Sequence, residues 1–402
     1  MVLIVGSGVG GSMVALELAK SNIPVTIIEK GPFAKVKDSA NYYNDETNEN
    51  IDLLKTTIVG GSSVVAAGNG VRILEDEMAK IGIDISKELD EIEELLAIHQ
   101  LNDSHIGNGT RKFIESAKSL GLNVMKMPKF IREEDCLKCG KCAWGCPYDA
   151  KWSAQDFIKQ AIELGANLMD NAEVIEIITQ DNKVKGLKIK TKNGEEIIDD
   201  ETIVLAAGAI DSAILLQKLG LKAGEKLFVD PFVTIGGVIR DIGYNSEVSM
   251  NALHIGRNFV LAPHYSMFIT QNAGENVNPG DILGIMVKIP DDTLGRIVNG
   301  KVIKKNTTKD IRFIAEGAAT AGAILTAAGV DPTTITSTHL RAAHPGGTAA
   351  IGDVVDTNLK TEIDGLYVGD ASVIPKAPGA PPIIAILALA KRLGKHLVKE
   401  LS

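Results

Sequence analysis

The sequence has no run of lysine or arginine residues, and its formal net charge is −9. A surface that binds nucleic acid needs concentrated positive charge, so we expect no nucleic-acid partner. The longest apolar stretch, residues 314–330, contains Glu316 together with many alanine and glycine residues. A membrane span needs about 20 strongly apolar residues. We therefore expect a buried helix of small residues there, and no membrane span.

Cysteine is scarce as well, with only four residues in a chain of 402. This number does not suggest a disulfide scaffold. Residues 2–5 already have the composition of a buried strand, which leaves no room for a charged secretion leader before them. These two observations predict a cytoplasmic protein.

The length of the chain and the pattern of its apolar residues predict a globular protein with two domains. A single simple core does not accommodate 402 residues, and a hydrophobic fraction of 45% is typical of folded domains. Periodicity predicts helices, one or two in residues 75–99 and one each at 153–164 and 383–400. Residue alternation and turn signals predict strands, at 174–178, 184–190, 196–198 and 202–206, and several short ones within 246–305.

A glycine-rich turn follows the first predicted strand. Gly6 makes the tight turn, Gly8 lets the backbone approach a pyrophosphate, and Gly11 lets the next helix pack close to the strand. The N-terminus of that helix offers free N–H groups to phosphates. A second predicted strand ends in Glu29, which is suited to bind a ribose hydroxyl. The segment predicts a dinucleotide-binding βαβ unit and by itself leaves NAD and FAD both open.

Four further segments resemble signatures of the glucose–methanol–choline (GMC) oxidoreductases. GGSSVVAAG at residues 60–68 resembles the flavin-contacting segment of that family, and LAAGAIDS at 205–212 resembles its second signature. HPGGT at 344–348 is similar to the catalytic-histidine segment, and GLYVGDASVIP at 365–375 is similar to the C-terminal flavin-binding strand. The resemblance implies that the dinucleotide is FAD.

The same resemblance implies an α/β fold with a Rossmann-like FAD-binding domain assembled from discontinuous segments. These segments would be residues 1–75, 155–245 and 336–402. An α+β substrate domain, residues 76–154 and 246–335, would be inserted between them and cover the flavin. This second domain would include a cysteine loop, residues 136–147.

Roles in FAD binding are implied for individual residues. Gly6, Gly8 and Gly11 would face the diphosphate, Glu29 the adenosine ribose, and the backbone of Val174 the adenine. Nearer the flavin the resemblance implies a further set of contacts. Gly61 and Ser62 would approach the diphosphate or the isoalloxazine, Asp370 would bind near the ribityl chain and the pyrophosphate, and the rest of the set is Gly60, Ser63, Asn69, Gly208 and Ala371.

Two histidines are candidates for catalysis. His344 stands where the family has a histidine that acts on the substrate hydroxyl as hydride leaves for flavin N5, a role that suits a group titrating near neutral pH. His339 is a second candidate, expected to line the same pocket. The second catalytic position of the family, usually His or Asn, falls on Pro381, which cannot act as an acid or a base. His344 would then act alone, with another group, or in reduction of a carbonyl or an activated alkene.

All four cysteines lie in one run, Cys136, Cys139, Cys142 and Cys146, followed directly by Pro147. This spacing matches the bacterial ferredoxin run that ligates a [4Fe–4S] cluster. In two-cluster ferredoxins the fourth cysteine of the run serves the other cluster, so a fourth ligand from elsewhere and a [3Fe–4S] form both stay open. The spacing is also compatible with a zinc ion bound by four thiolates, and with cysteines that are purely structural.

Together these features predict a GMC-type enzyme that transfers hydride between FAD and an alcohol or carbonyl substrate. An iron–sulfur cluster carries one electron at a time, so electrons would pass through it to an external acceptor protein or carrier. That route favours a dehydrogenase over an oxidase. A cluster-free GMC oxidase or dehydrogenase stays open, and so does a flavin-containing electron-transfer subunit of a larger complex. A homo-oligomer is compatible with each of these enzymes and subunits.

Overall fold

The computed structural model describes residues 1–47, 51–274 and 276–402 of the chain. Helices are present where periodicity predicts them, and three more, in residues 108–119, 208–218 and 267–272, lie where the sequence analysis predicts none. The α-helices of the described ranges are Val9–Lys20, Glu75–Lys80, Ser86–Leu95, Asn108–Ser119, Ala154–Glu163, Gly208–Lys218, Met267–Asn272, Thr308–Ala328 and Ile383–Leu401.

A five-stranded parallel sheet carries the predicted βαβ unit. Every residue of its two N-terminal strands is buried, as expected when both faces of a parallel sheet are covered. Because the strands run in the same direction, their carboxyl ends bring the glycine-rich turn, Glu29, Ala206 and Asp370 to one edge. In spatial order the strands are Leu366–Val368, Ile203–Leu205, Val2–Val5, Val25–Ile28 and Asn167–Met169.

Small residues let the N-terminal helix Val9–Lys20 approach its neighbours closely. A Cβ atom on Gly10 would lie 1.6 Å from the carbonyl oxygen of Gly369, at the end of a neighbouring strand. The helix also packs against the C-terminal helix Ile383–Leu401, where a Cβ atom on Gly394 would lie 2.7 Å from the Cβ of Glu17. These contacts fix the helix N-terminus relative to the sheet edge.

A nine-stranded mixed sheet forms the second large layer. Phe232–Val238 and Ile282–Lys288 pair at its centre in antiparallel register, with Phe232 opposite Lys288. The strands in spatial order are Glu46–Thr47, Asp52–Leu53, Arg341–Ala342, Phe232–Val238, Ile282–Lys288, Val260–Pro263, Ala252–Ile255 and Met125–Lys126, with Thr336–Ser337 also paired to Phe232–Val238.

Three smaller sheets complete the strand pairing of the described residues. The predicted meander is present as Glu173–Gln180, Lys183–Thr191 and Gly194–Asp199. Two-stranded pairs join His99–Gln100 with Pro128–Lys129 and Arg296–Val298 with Lys301–Ile303.

Two separate hydrophobic cores lie around the two large sheets. The strand Phe232–Val238 falls in the segment predicted for the FAD-binding domain, yet it pairs with strands of residues 246–335. Sheet pairing therefore crosses the predicted boundary near residue 245, and the domain boundaries stay a prediction.

The helix Thr308–Ala328 contains most of the apolar stretch singled out in the sequence. By length and composition it could cross a membrane, and 33% of its most apolar window is buried. Its buried residues include Phe313, Gly317, Ala321 and Ile324, spaced three or four apart, which places them on one helix face. The expected helix is present, but it is buried on one face rather than all round.

Candidate active site

A cavity of about 500 Å³ opens at the carboxyl edge of the parallel sheet, and residues of both large sheets line it. All the sequence segments singled out for FAD contribute to its wall. The predicted FAD-binding residues that line this large cavity are Gly6, Gly8, Glu29, Gly61, Ser62, Ser63, Asn69, Val174, Gly208, Asp370 and Ala371.

The three glycines predicted to shape the N-terminal turn have different surroundings. Gly6 has φ +97° and its Cβ would lie 2.3 Å from the carbonyl oxygen of Ala206, so only glycine fits this turn. Nothing lies within 4 Å of a Cβ built on Gly8, which caps the following helix and faces the cavity. Gly11 does not line the cavity, because it packs against the carbonyl oxygen of Gly6. The open space at Gly8 suits the close approach of a diphosphate.

Two buried carboxylates stand at the ends of strands in this edge. Glu29 accepts hydrogen bonds from the backbone N–H and hydroxyl of Ser7, at 3.0 and 2.6 Å, and from the N–H of Gly31 at 2.8 Å. Asp370 accepts from the N–H of Gly208 at 2.8 Å and from the hydroxyl of Ser212 at 2.6 Å. Burial raises the pKa of both carboxyls, and these hydrogen bonds oppose the shift.

The segment 60–68 lies between the large cavity and the cysteine loop. Gly60 turns the chain with φ +92° and does not line the cavity, whereas Gly61, Ser62 and Ser63 do. The hydroxyl of Ser63 donates to the carbonyl of Gly60 at 2.6 Å and accepts from the N–H of Ala154 at 2.9 Å. This segment therefore has its backbone fixed on one side and exposed to the cavity on the other.

His344 lines the large cavity and has charged neighbours on one side of its ring. Its Nδ1 lies 3.1 Å from Oδ2 of Asp230 and 3.4 Å from Nζ of Lys288. The Lys288 ammonium also donates to the backbone carbonyl of Asp230 at 3.1 Å. Burial and the charge of Lys288 hold the pKa of His344 well below its usual value, so the imidazole is neutral near pH 7.

Asp291 and Lys304 form a buried ion pair next to Asp230. Burial raises the pKa of Asp230 to about 7, and the nearby charge of Lys288 opposes that shift. Asp291 accepts from the backbone N–H of Asp230 at 2.9 Å and pairs with Lys304 at 2.7 Å, with both side chains fully buried. The hydrogen bond to Asp291 therefore fixes the backbone at Asp230.

The wall opposite the FAD-binding segments is mostly apolar. His264 adds a polar group there, and its Nδ1 lies 2.8 Å from the hydroxyl of Thr234. Burial lowers the pKa of His264 to about 4, with Arg341 and Lys288 adding to the shift. The apolar lining residues of this side are Met127, Phe232, Met250, Leu253, Val260, Ala262 and Met286.

The structure corrects the expectation for His339, which does not line the large cavity. Its side chain is 46% exposed and pairs with Asp52 at the surface. His339 precedes the short strand Arg341–Ala342, and the ring packs against Phe268 on the outer side. His254 is also outside the cavity wall, because it is buried against the carbonyl of Asn123 at 2.7 Å. Pro381, to which the sequence resemblance assigns the family's second catalytic position, lines the cavity.

The four cysteines line one small second cavity, and all are free thiols. Ala143, inside the same loop, lines the large cavity, so the loop touches both. Among the described residues, no three His, Cys, Asp or Glu side chains are grouped closely enough to hold a single metal ion. The loop thus places four thiols around one space without forming a compact site for one ion.

Two fully buried lysines lie between the cysteine loop and the segment 60–68. Lys129 donates to Asn69 Oδ1 at 2.6 Å and to the carbonyls of Ala67 and Ser249. Lys151 donates to the carbonyls of Ser63 at 2.9 Å and of its neighbour Val64. Burial lowers the pKa of Lys129 to about 7 and that of Lys151 to about 8, and the nearby thiols oppose both shifts.

Sequence reasoning missed the charged residues around His344 and beside the thiols. Lys288 ends the apolar run ILGIMVK, and a lysine at the end of an otherwise apolar strand is the signal that could have found it. Asp230 precedes Pro231 without any motif, and no local signal marks it.

Comparisons with known proteins agree with this geometry. Models described as GMC oxidoreductase match residues 1–264 and 301–390. A protein of Methanocaldococcus jannaschii is 35% identical, covering 98% of this chain and 99% of that protein. A long-chain-alcohol oxidase of Arabidopsis thaliana is 23% identical, covering 99% of this chain and 67% of that protein. The crystal structure of pyridoxine 4-oxidase from Mesorbium loti gives a TM-score of 0.75 at 19% identity, covering 98% of both chains. The predicted α/β fold class is confirmed.

Proposed function

Because this chain belongs to the GMC oxidoreductase family, and is thus an FAD-binding oxidoreductase, we propose that it is a dehydrogenase that oxidises an alcohol to a carbonyl compound. The observation that carries the proposal is that His344 and the FAD-binding segments, which are far apart in sequence, line the same large cavity.

FAD, when bound, supplies the acceptor for a hydride. The residues proposed to hold it are those of the cavity edge. Gly6 would make the tight turn, Gly8 would leave the backbone open to the diphosphate, Glu29 would bind the adenosine ribose, and Asp370 would bind near the ribityl chain. Gly11 would not contact FAD itself. Its lack of a side chain lets the helix pack closely against Gly6, so that the helix N-terminus can reach the phosphates.

His344 is the proposed base for the substrate hydroxyl. It is neutral near pH 7 and lines the cavity, so it can accept a proton there. Most of the cavity wall on the side of the nine-stranded sheet is apolar, although Lys288 and His264 also line it, and this favours an alcohol with an apolar substituent over a sugar. The Arabidopsis relative is named a long-chain-alcohol oxidase, which is consistent with this substrate class.

Product analysis with a panel of alcohols tests the proposal. We expect the purified protein, with an artificial electron acceptor, to convert primary alcohols with alkyl or aryl substituents to aldehydes faster than it oxidises glucose. His339→Gln is the matched control, since His339 lies outside the cavity and its loss should leave the rate unchanged. Oxidation of sugars in preference to apolar alcohols would overturn the substrate class, and no carbonyl product from any alcohol would overturn the function.

The cysteine loop favours a second element of the function, an iron–sulfur cluster that passes electrons to an external one-electron acceptor. Two observations support it. Four free thiols line one space, in a loop whose Ala143 reaches the large cavity. Two buried ammonium groups, Lys129 and Lys151, lie beside those thiols and hydrogen-bond carbonyls, and an anionic thiolate-bound cluster would offset their charge.

Cys136, Cys139, Cys142 and Cys146 are the proposed ligands. Iron and acid-labile sulfide should be present after anaerobic purification and absent from Cys142→Ser. Trp144→Phe, in the same loop, should retain both and serves as the control. Iron-free wild-type protein that still oxidises alcohols would leave a cluster-free enzyme with structural cysteines. The proposed location is cytoplasmic, where cysteines stay reduced and available as ligands.

An electron-transfer subunit would behave differently when His344 is replaced. A subunit without its own substrate does not need a base beside the flavin. If His344→Gln leaves the rate of flavin reduction unchanged for every reductant tested, the subunit is favoured over the enzyme.

A further inference from the structure

His344 contacts two groups that make opposite demands on the same atom. A protonated Nδ1 can donate to the carboxylate of Asp230, 3.1 Å away, whereas an unprotonated Nδ1 can accept from the ammonium of Lys288, 3.4 Å away. The two states are different tautomers of the neutral ring, and they expose different forms of Nε2. The partner chosen by Nδ1 therefore decides whether His344 can act as a base.

We propose that Asp230 is a positioning residue that holds His344 as the Nδ1–H tautomer, so that Nε2 presents its lone pair to the cavity. This inference rests on the proposed alcohol oxidation, whose base it explains. Pro381, at the position assigned to the family's second catalytic residue, cannot assist His344 as an acid or a base. Asp230 would assist it instead, by orienting its ring.

The surroundings of Asp230 favour its pairing with His344. Oδ1 accepts from the N–H of Gly379 at 2.9 Å, which leaves Oδ2 for the imidazole. Gly379 belongs to the loop that carries Pro381, and its φ of +65° and a Cβ contact of 2.8 Å to Pro290 require glycine there. The loop that lacks the family's second catalytic side chain thus anchors the carboxylate with its backbone.

Lys288 completes the arrangement by its charge. Its ammonium donates to the backbone carbonyl of Asp230 and lies above the ring of Phe232, 5.0 Å from the centroid. Burial raises the pKa of Asp230 to about 7, and the charge of Lys288 opposes that rise and so favours the carboxylate, which can only accept a hydrogen bond; the same charge disfavours a second proton on His344. Charged or titratable groups also lie beside Asp230 and Lys288: Asp291, with its partner Lys304, is near Asp230, and His264, with the nearby Arg341, is near Lys288.

The proposed step balances in protons and electrons. The hydroxyl proton of the alcohol goes to Nε2, and the hydrogen on the carbinol carbon leaves as hydride to the flavin. The substrate loses two electrons and two hydrogens and becomes the carbonyl compound. His344 becomes an imidazolium, whose Nδ1–H remains bonded to the Asp230 carboxylate.

Nitrogen NMR of the FAD-bound protein tests the tautomer without measuring turnover. In protein labelled with ¹⁵N-histidine, the His344 signals are assigned by their loss in His344→Gln. We expect a protonated Nδ1 and an unprotonated Nε2 in the wild type. In Asp230→Asn, the amide can donate to Nδ1, so we expect the pattern to reverse.

Glu247→Gln is the matched control, because Glu247 is a buried carboxylate bonded to Gly109 and Thr110 instead of a histidine. Its His344 signals should equal those of the wild type. A wild-type His344 protonated on Nε2 would overturn the inference, and this outcome does not depend on whether Asp230→Asn folds.

Kinetics separates this inference from the proposed function. Asp230→Asn should lower the rate of flavin reduction by about 10²–10⁴-fold with little change in KM, since the loss concerns proton transfer and not binding. If the tautomer is as expected but no alcohol reduces the flavin, the proposed function fails and the positioning stands. If alcohols reduce the flavin equally in Asp230→Asn, the positioning role fails and the function stands.

Discussion

Buried lysines lie near His344 and beside the cysteine loop. Those near His344 have carboxylate neighbours, whereas those beside the cysteine loop hydrogen-bond uncharged oxygen atoms. In the region of His344, Lys304 pairs with Asp291 at 2.7 Å and Lys288 lies beside Asp230. Beside the cysteine loop, the hydrogen bonds of Lys129 and Lys151 go to carbonyl and amide oxygens, and neither lysine forms a salt bridge in the described part of the chain. An uncompensated buried charge is costly, and the thiolate-bound cluster proposed above would offset the charge of Lys129 and Lys151.

Asp291→Asn should give the largest loss of stability on the His344 side. The substitution removes one partner of a fully buried ion pair and leaves the Lys304 ammonium alone, at a cost of about 3–5 kcal/mol in the free energy of unfolding. Urea unfolding measures it. The neighbouring Asp292→Asn, at a partly exposed pair with Lys309, should cost less than about 1 kcal/mol. Equal losses for the two variants would show that the buried pair Asp291–Lys304 stabilises the fold no more than an exposed pair does.

Lys151→Met should have a smaller effect on folding, and one that depends on iron. In iron-free protein it relieves the desolvation of an ammonium and leaves two carbonyls without their donor, for a net cost below about 3 kcal/mol. In iron-loaded protein it removes a buried positive charge beside the thiolates, so the midpoint potential of the cluster should fall. Lys141→Met, an exposed lysine of the same loop, should shift the potential less. Identical potentials in the two variants would contradict the proposed role of the buried lysines.

The contribution of His264 to stability should be the smallest of the three near neutral pH and should appear as a pH dependence below it. Its pKa in the folded state is about 4, against 6.5 for an ordinary histidine, so between these values only the unfolded chain binds the proton. Unfolding then takes up a proton, and stability falls as pH falls through that window. His264→Gln should lose this contribution, which has a limiting slope of about 1.4 kcal/mol per pH unit. An unchanged difference between the two proteins from pH 7 to pH 4 would show that His264 is not buried as described.

The FAD-binding edge was predictable from sequence because its parts are local motifs. Gly6, Gly8 and Glu29 lie within one βαβ unit, and Asp370 follows a strand with a recognisable signature. The parallel sheet then brings these short motifs to the same edge.

The network around His344 was not predictable, because its members meet only in the folded chain. Asp230 is 114 residues from His344 and Lys288 is 56 residues away, and neither belongs to a motif. His339 was misplaced for a related reason. It lies five residues before His344, and the short strand between them turns one ring to the surface and the other to the cavity.

Anaerobic mixing of the FAD-bound protein with an apolar primary alcohol tests the central claim most directly. The visible flavin band should bleach in the wild type, and His344→Gln, with the same FAD content, should bleach about 10²–10⁴-fold more slowly. Equal rates in the two proteins, or no bleaching with any alcohol, would contradict an alcohol-oxidising site built around His344.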